Sequence, residues 1–152
     1  TNHWGTAEVV YAIEDAGPKN VVYVSSMAVY GYGSGQPITS TDAPLNPQSY
    51  YGISKLRGEA HMERLMQKMP VHIIRCANIY GYSKNLRVEA AVNRMMFDAH
   101  FQNRVQIHGK GSQVRTFISI KRAVAIKIYP GDQTTQLCRG IGCIDRDLVV
   151  SV

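Results

Sequence analysis

A tyrosine and a lysine four positions apart carry the strongest chemical signal in the sequence. Tyr51 and Lys55 lie in Tyr-Gly-Ile-Ser-Lys, and residues at i and i+4 of a helix lie side by side on one face. A free phenol has a pKa of about 10. A neighbouring ammonium favours the phenolate, so such a phenol can act as a general base near neutral pH. The same spacing also occurs on ordinary solvated helices, so the surrounding motifs decide what it means.

Two further motifs are predicted to lie near this pair. Ser26 ends the short apolar run 20–26, and Asn78 follows a second apolar run, 71–75. Open α/β sheets bind their ligands at the carboxyl ends of their parallel strands. The three motifs therefore converge on one edge of a predicted sheet.

The segments that carry these motifs alternate between helix and strand. Apolar spacing predicts three helices, at 7–16, 49–69 and 88–96. Two strands buried on both faces are predicted at 20–26 and 71–75. Shorter strand candidates are 105–107, 116–120 and 147–150, and a loop rich in Gly and Pro is predicted at 31–48. Strand, helix and strand in this order indicate an α/β fold with a parallel, doubly wound sheet.

The ordered set of motifs resembles the extended short-chain dehydrogenase/reductase family, in its NAD-dependent nucleotide-sugar epimerase/dehydratase branch. The resemblance covers about residues 2–124 and rests on Asn2-x-x-Gly5-Thr6, Ser25-Ser26-x-x-Val29-Tyr30-Gly31, Tyr51-x-x-x-Lys55 followed by Gly58-Glu59, Arg75-x-x-Asn78-x-Tyr80-Gly81, and Gly109-Lys110-Gly111-Ser112-Gln113-Val114-Arg115-x-Phe117. Each motif is common alone, whereas their order is specific. The resemblance implies a partial Rossmann-like sheet that lacks the N-terminal dinucleotide-binding βαβ units, because no Gly-rich fingerprint opens a βα turn in this chain.

The resemblance also implies roles at the cofactor side of a site. Tyr51 would be the acid/base that removes a proton from a sugar hydroxyl while NAD takes the hydride. Lys55 would bind the nicotinamide ribose, and Ser26 would hydrogen-bond the reacting oxygen. Ser25 and Ala77 would contact the cofactor together with Tyr51 and Lys55.

On the substrate side, the resemblance implies a nucleotide sugar. Asn78 and Arg115 would face its phosphates, since an Arg fork pairs bidentately with phosphate oxygens. In the dehydratase members an acid pair follows the catalytic Ser or Thr and eliminates water. Met27 and Ala28 stand there in this chain, so epimerisation or simple oxidoreduction is favoured.

The domain organisation implied is that of a truncated fragment. Residues 1–129 are expected to form the central catalytic part of the domain, and 130–152 a divergent C-terminal tail. With about 30 residues per βαβ unit, about 90 residues that grip the cofactor pyrophosphate are expected upstream of Thr1. Lys121 and Arg122 stand where family members usually carry acidic residues. We therefore expect NAD-dependent chemistry only in an intact protein.

Composition excludes several other classes of protein. The chain has 152 residues, a formal net charge of +6, 45% hydrophobic and 18% charged residues, which argues against disorder. No apolar run reaches the roughly 18 residues of a membrane span, and no signal peptide is evident, so a cytoplasmic protein is expected. Lys and Arg are dispersed, which disfavours a nucleic-acid partner. The 3 Cys and 5 His residues lack metal-site spacing, so no metal is predicted.

One alternative stays open beside the enzyme. A non-catalytic remnant could fold and self-associate into a homo-oligomer, because a sheet without its neighbouring strands exposes an edge and apolar surface.

Overall fold

A computed structural model describes residues 2–31, 43–107, 114–125 and 149–151. The helices are α1 (Trp4–Ala16), α2 (Tyr50–Leu65), α3 (Ala91–Gln102) and α4 (Ile120–Val124), and a 3-10 helix spans Met27–Tyr30. The strands are β1 (Val21–Ser26), β2 (Val71–Cys76), β3 (Asn78–Tyr80), β4 (Val114–Ser119) and β5 (Val149–Ser151). No helix in these ranges is long and apolar enough to cross a membrane.

Local signals set the ends of the two long helices. Gly17 ends α1 in the left-handed region, with φ 56°, and its N–H donates to the Ile13 carbonyl at 3.0 Å. Glycine adopts this conformation without steric cost, which is why it is common after helices. The Ser49 hydroxyl begins α2 by accepting from the Gly52 N–H at 3.0 Å. The predicted first and second helices are therefore confirmed, with α2 ending four residues earlier than predicted, at Leu65 rather than 69.

β1 and β2 are parallel and pair in register along their full length. The pairs run from Val21 with Val71 to Ser26 with Cys76, so both strands end at the same edge. The predicted strand, helix and strand unit is thereby confirmed. Burial on both faces holds for β2 only, because β1 exposes Val22 and Val24. One face of this sheet packs against α1 and α2 through a core of six buried residues, Val10, Val21, Met62, Leu65, Val71 and Ile73.

A second sheet continues from the end of β2. β3 pairs with β4 in parallel, with Asn78 opposite Phe117, and β4 pairs with β5 in antiparallel orientation. β3, the 3-10 helix and α4 have no counterpart in the sequence prediction. All three are short, and elements of three to five residues carry too few positions to establish a periodicity.

One predicted strand and two further predicted boundaries are wrong. Residues 105–107 form no strand, and their apolar side chains Val105 and Ile107 are exposed, because a strand needs a partner and none lies beside them in the described part of the chain. The third helix begins at Ala91 rather than 88, since a turn closed by the Ala90 N–H and the Arg87 carbonyl at 3.2 Å precedes it. Ile120 begins α4 instead of ending a strand.

Several predictions fall outside the described residues. These concern most of the 31–48 loop, the 109–113 part of the last family motif, and residues 130–148 of the tail. The extended run predicted at 147–150 overlaps β5, which spans Val149–Ser151.

Candidate active site

Ser26 lies at the turn between β1 and the 3-10 helix. Its Oγ accepts a hydrogen bond from the Ala28 N–H at 3.2 Å, which caps the 3-10 helix. Because the oxygen is held as an acceptor, its position relative to the end of β1 is defined. Ser26 thus lies at the carboxyl edge of the parallel pair, as the strand prediction requires.

The first turn of α2 packs closely on this 3-10 helix. A Cβ on Gly52 would lie 2.5 Å from the Ala28 carbonyl oxygen and 3.0 Å from the Pro47 Cβ. Only glycine fits such an approach of helix to backbone. Tyr51, the residue before it, is 50% exposed, so its phenol lies at the surface of the site rather than in the core.

Lys55 lies one turn further along α2 and reaches back to β1. Its Nζ donates to the Val24 carbonyl at 2.9 Å and lies 5.2 Å from the centroid of the Tyr23 ring. A cation over an aromatic face is favourable, so Tyr23 helps to hold the ammonium at the strand. Tyr23 and Gly58 are in contact, and a side chain on Gly58 would overlap the Tyr23 hydroxyl. Ser26, Tyr51 and Lys55 therefore all lie where α2 crosses the end of β1.

The two remaining residues of the predicted cofactor side are buried. Ser25 donates its hydroxyl hydrogen bond to the Glu59 carboxylate, so its side chain faces α2 rather than the edge. Ala77 is buried between β2 and β3. A cofactor contact at Ser25 would therefore have to come from its backbone, unlike the side-chain contact that its residue type suggests.

The predicted substrate-side residues lie on the second sheet. The Asn78 amide donates to the Thr116 carbonyl at 3.1 Å, which ties β3 to β4. Arg115 is exposed on β4, two positions before Phe117, the residue that pairs with Asn78. The structure thus places both residues on the β3–β4 pair, and Asn78 follows Cys76, the strand partner of Ser26, by two residues.

A buried polar cluster, the Glu59 network, comprises Ser25, Tyr30, Glu59 and Arg75. Glu59 is 0% and Arg75 7% exposed. The Arg75 guanidinium donates to the carboxylate at 2.7 and 3.0 Å and to the Tyr30 hydroxyl at 2.7 Å. Burial alone would lower the pKa of Arg75, but its bonds to Glu59 and Tyr30 outweigh burial and raise it.

The sequence motifs contain these four residues but predict no contact among them. One sequence feature could have indicated that Glu59 belongs to the site. It lies at i+4 from Lys55, on the side of α2 that faces the core and is otherwise apolar. Tyr23, Gly52 and Cys76 were also missed as members of the site. Cys76 pairs with Ser26 across the strands, and burial raises the pKa of its thiol while Lys55 opposes the rise.

Within the described residues no group of three His, Cys, Asp or Glu side chains is arranged to hold a metal ion. Cys76 is a free thiol, and Cys138 and Cys143 lie outside the described ranges.

Comparison with known proteins shows which proteins this chain is similar to. The UDP-glucose 4-epimerase of Mycolicibacterium smegmatis is 34% identical over 131 residues, which are 84% of this chain and 42% of that protein. The dTDP-D-glucose 4,6-dehydratase of Mus musculus is 31% identical over 119 residues, 77% of this chain and 33% of that protein. The chain thus spans about two fifths or less of these relatives.

Solved structures give the same result for the fold. UDP-glucuronic acid 4-epimerase from Bacillus cereus, in complex with UDP-glucuronic acid and NAD, superposes with a TM-score of 0.71 at 26% identity, covering 82% of this chain and 39% of that one. An NAD-dependent NDP-hexosamine 5,6-dehydratase of tunicamycin biosynthesis gives 0.72 at 30% identity, covering 81% and 41%. The predicted partial Rossmann-like α/β fold is confirmed. The sequence model of the NAD dependent epimerase/dehydratase family matches residues 1–129, and the chain belongs to that family.

Proposed function

We propose that this chain carries the acid/base side of the active site of an NAD-dependent nucleotide-sugar epimerase. The observation that supports this most directly is the crossing of α2 over the end of β1. There the Lys55 Nζ lies 2.9 Å from the carbonyl of Val24, two residues before Ser26, and Lys55 is one helical turn from Tyr51. A phenol, an ammonium and a hydroxyl on one edge are the groups needed to move a proton to and from a sugar hydroxyl.

In the proposed reaction Tyr51 accepts the proton of a sugar hydroxyl as the carbon that bears it becomes a ketone. NAD, when bound, would supply reversible hydride transfer at that carbon. Ser26 donates a hydrogen bond to the reacting oxygen, and its bond from Ala28 holds the hydroxyl in place for this. Tyr51 would return the proton to the sugar oxygen as the ketone is reduced again from its opposite face, which inverts the carbon.

The hydrogen-bond donors of this chain suit a nicotinamide cofactor. Lys55 has three ammonium hydrogens, and Val24 takes one of them in this structure. The remaining donors match the hydroxyls of a ribose. In this proposal Ala77 and the Ser25 backbone contact the cofactor, while Asn78 and Arg115 contact the phosphates of the nucleotide sugar.

The residue types after Ser26 favour epimerisation over dehydration. Met27 and Ala28 lie in the 3-10 helix and cannot act as acids. Glu59, a carboxylate near this turn, is buried and paired with Arg75, so it does not replace them. Without an acid to protonate the leaving hydroxyl, elimination of water has no obvious route.

A chimera tests this proposal. Residues 1–129 replace the matching segment of the Mycolicibacterium smegmatis UDP-glucose 4-epimerase, and conversion of UDP-glucose to its 4-epimer is measured. We expect turnover in the chimera and a loss of roughly 10²–10⁴-fold in Tyr51→Phe, the contribution of a general acid/base. Tyr50→Phe, at the exposed neighbouring phenol, is the matched control and should leave the rate unchanged.

Equal rates in the chimera and Tyr51→Phe would refute the assignment, as would a chimera that folds and binds NAD but does not turn over. The 152-residue chain alone is expected to be inactive and to bind NAD weakly, because it contains no Gly-rich fingerprint. Saturable sub-millimolar NAD binding in a calorimetric titration would contradict that part of the proposal.

A second candidate function is self-association without catalysis. Among the described residues β1 pairs on one side only, with β2, and its Val22 and Val24 side chains are 47% and 53% exposed. An unpaired edge with apolar side chains favours pairing with another chain. Light scattering of a concentrated solution tests this candidate, and a monomer at all concentrations would exclude it.

A further inference from the structure

The Glu59 network joins the segments that carry the proposed catalytic groups. Ser25 is the residue before Ser26, and Tyr30 ends the 3-10 helix that Ser26 caps. The network therefore includes residues on both sides of the turn on which Ser26 lies.

The same network holds α2 to β2. Glu59 is one turn after Lys55 on α2, and Arg75 precedes Cys76, the strand partner of Ser26. The carboxylate of Glu59 is within 3.3 Å of two guanidinium nitrogens of Arg75. Lys55 is thereby fixed relative to the ends of both strands through a neighbour on its own helix.

A buried ion pair is not the usual source of stability in a protein core. Apolar side chains of similar volume often stabilise as much as a buried charge pair does, or more. A guanidinium and a carboxylate joined by parallel hydrogen bonds add a fixed direction, which apolar contacts lack. The Tyr30 hydroxyl and the Ser25 hydroxyl take up further hydrogen-bonding positions of the pair. The network is therefore suited to set orientation.

We propose that Glu59 and Arg75 are positioning residues, which hold Ser26 and Lys55 at the spacing that proton transfer at Tyr51 requires. The proposal rests on the proposed function for its catalytic meaning. The structural part of the proposal is that the Glu59 network holds the 3-10 helix in place. It can be tested without catalysis.

Hydrogen exchange in the 152-residue chain tests the structural part. The reporter is the Ala28 amide, which donates to Ser26 Oγ. The reference is the Val10 amide in α1, which we expect to exchange by global unfolding because Val10 is fully buried in the core. In Glu59→Gln we expect Ala28 to exchange roughly five- to tenfold faster relative to Val10, the effect of about one hydrogen bond. Glu63→Gln, an exposed glutamate one turn later on α2, should change neither amide.

Tyr30→Phe is the second variant, for the case in which Glu59→Gln does not fold. It keeps the ring over the guanidinium, 4.9 Å from the Tyr30 centroid, and removes the hydroxyl at 2.7 Å. The Ala28 amide should again exchange faster than the reference. An Ala28 amide that follows Val10 in Tyr30→Phe would overturn the proposal.

The catalytic part is measured as a split between kcat and KM in the chimera described above. Tyr30→Phe is expected to lower kcat by roughly tenfold while KM stays within about twofold, because an interaction that matters only in the transition state has been weakened. An unchanged kcat would overturn the positioning role. An inactive unmutated chimera would instead refute the proposed function, and the exchange result would still decide the structural part.

Discussion

The two sheets of this chain are held together in different ways. α1, α2, β1 and β2 enclose the six-residue apolar core and the Glu59 network. In the second region, β3 to β5 with α3 and α4, the 12-residue helix α3 buries only Asp98, although Phe117 and Ile118 of β4 are buried. Met96, Phe97 and Phe101 of α3 are exposed.

The proposed acid/base residues and the proposed substrate-binding residues lie in different regions. Ser26, Tyr51 and Lys55 belong to the region that has its own core, whereas Asn78 and Arg115 lie in the region whose helix exposes its apolar residues. A rigid acid/base group is useful because proton transfer is sensitive to small displacements. The first region is therefore expected to be the more stable of the two, and the following changes test that expectation.

The largest expected effect is at the buried ion pair. Arg75→Met leaves the Glu59 carboxylate buried without its cation, which costs about 3–5 kcal/mol of unfolding free energy. The matched change in the second region is Arg94→Met, which removes the 2.9 Å pair between the exposed Arg94 and the buried Asp98 of α3. Solvent reaches this pair at Arg94, so we expect a loss above the roughly 0.3–0.5 kcal/mol of a fully exposed i,i+4 pair but below the loss at Arg75. Urea denaturation measures both values, and equal losses would remove the contrast between the regions.

A core truncation tests the apolar contribution. Leu65 is fully buried in the first region, so Leu65→Ala should lower the unfolding free energy by about 2–5 kcal/mol. Met96 on α3 is 61% exposed, and Met96→Ala should change it by less than about 0.5 kcal/mol. A large loss in Met96→Ala, measured by thermal or urea unfolding, would show that α3 packs against more than the described residues.

A smaller effect is expected where α2 approaches the 3-10 helix. Gly52→Ala introduces a Cβ 2.5 Å from the Ala28 carbonyl oxygen, so the two elements must separate. Overpacking of this kind costs about 1–3 kcal/mol. Gly5→Ala in α1 is the control, since a Cβ added there would meet nothing within 4 Å, and it should be neutral or slightly stabilising. Equal stability of both variants would contradict the close packing described for the site.

The smallest effect is a loss of stability at alkaline pH. Burial raises the pKa of Cys76 above its usual 9.0 and that of Tyr23 above its usual 10.0. The folded state thus favours the neutral forms, and this contribution is complete below the ordinary pKa and is lost as the pH rises through the raised one. Unfolding free energy should fall from about pH 8 to about pH 10.5 less steeply in Cys76→Ser than in the unmutated chain. Identical slopes would show that Cys76 is not responsible.

The features of the site that could be predicted depend on residues that are close together in the sequence. The side-by-side placement of Tyr51 and Lys55 follows from helix periodicity, and Ser26 at the strand end follows from a short apolar run. Glu59 shows the limit of such reasoning. Helix periodicity places it beside Leu56 and Met62, but its burial as a charged group depends on Arg75, 16 residues away on β2.

The second region was harder to predict for a related reason. The 105–107 run has the residue types of a strand but no partner among the described residues, whereas β3, a run of only three residues, is a strand because β4 lies beside it. Strand formation depends on the neighbour as well as on the segment itself. Of the roles predicted for individual residues, those of Asn78 and Arg115 stay predictions together with those of Ser25, Ser26, Tyr51, Lys55 and Ala77.

By itself the sequence determined the alternation of helix and strand, the family and the edge at which the proposed site lies. These follow from local periodicity, from turn residues such as Gly17 and from motif order, all of which act over a few residues. Only the tertiary structure decided that Ser25 faces Glu59, that Lys55 is held against β1 over Tyr23, and that Glu59 and Arg75 pair in the core. Those contacts join segments 16 to 34 residues apart, and within the Glu59 network burial strengthens them because water no longer competes for the charges.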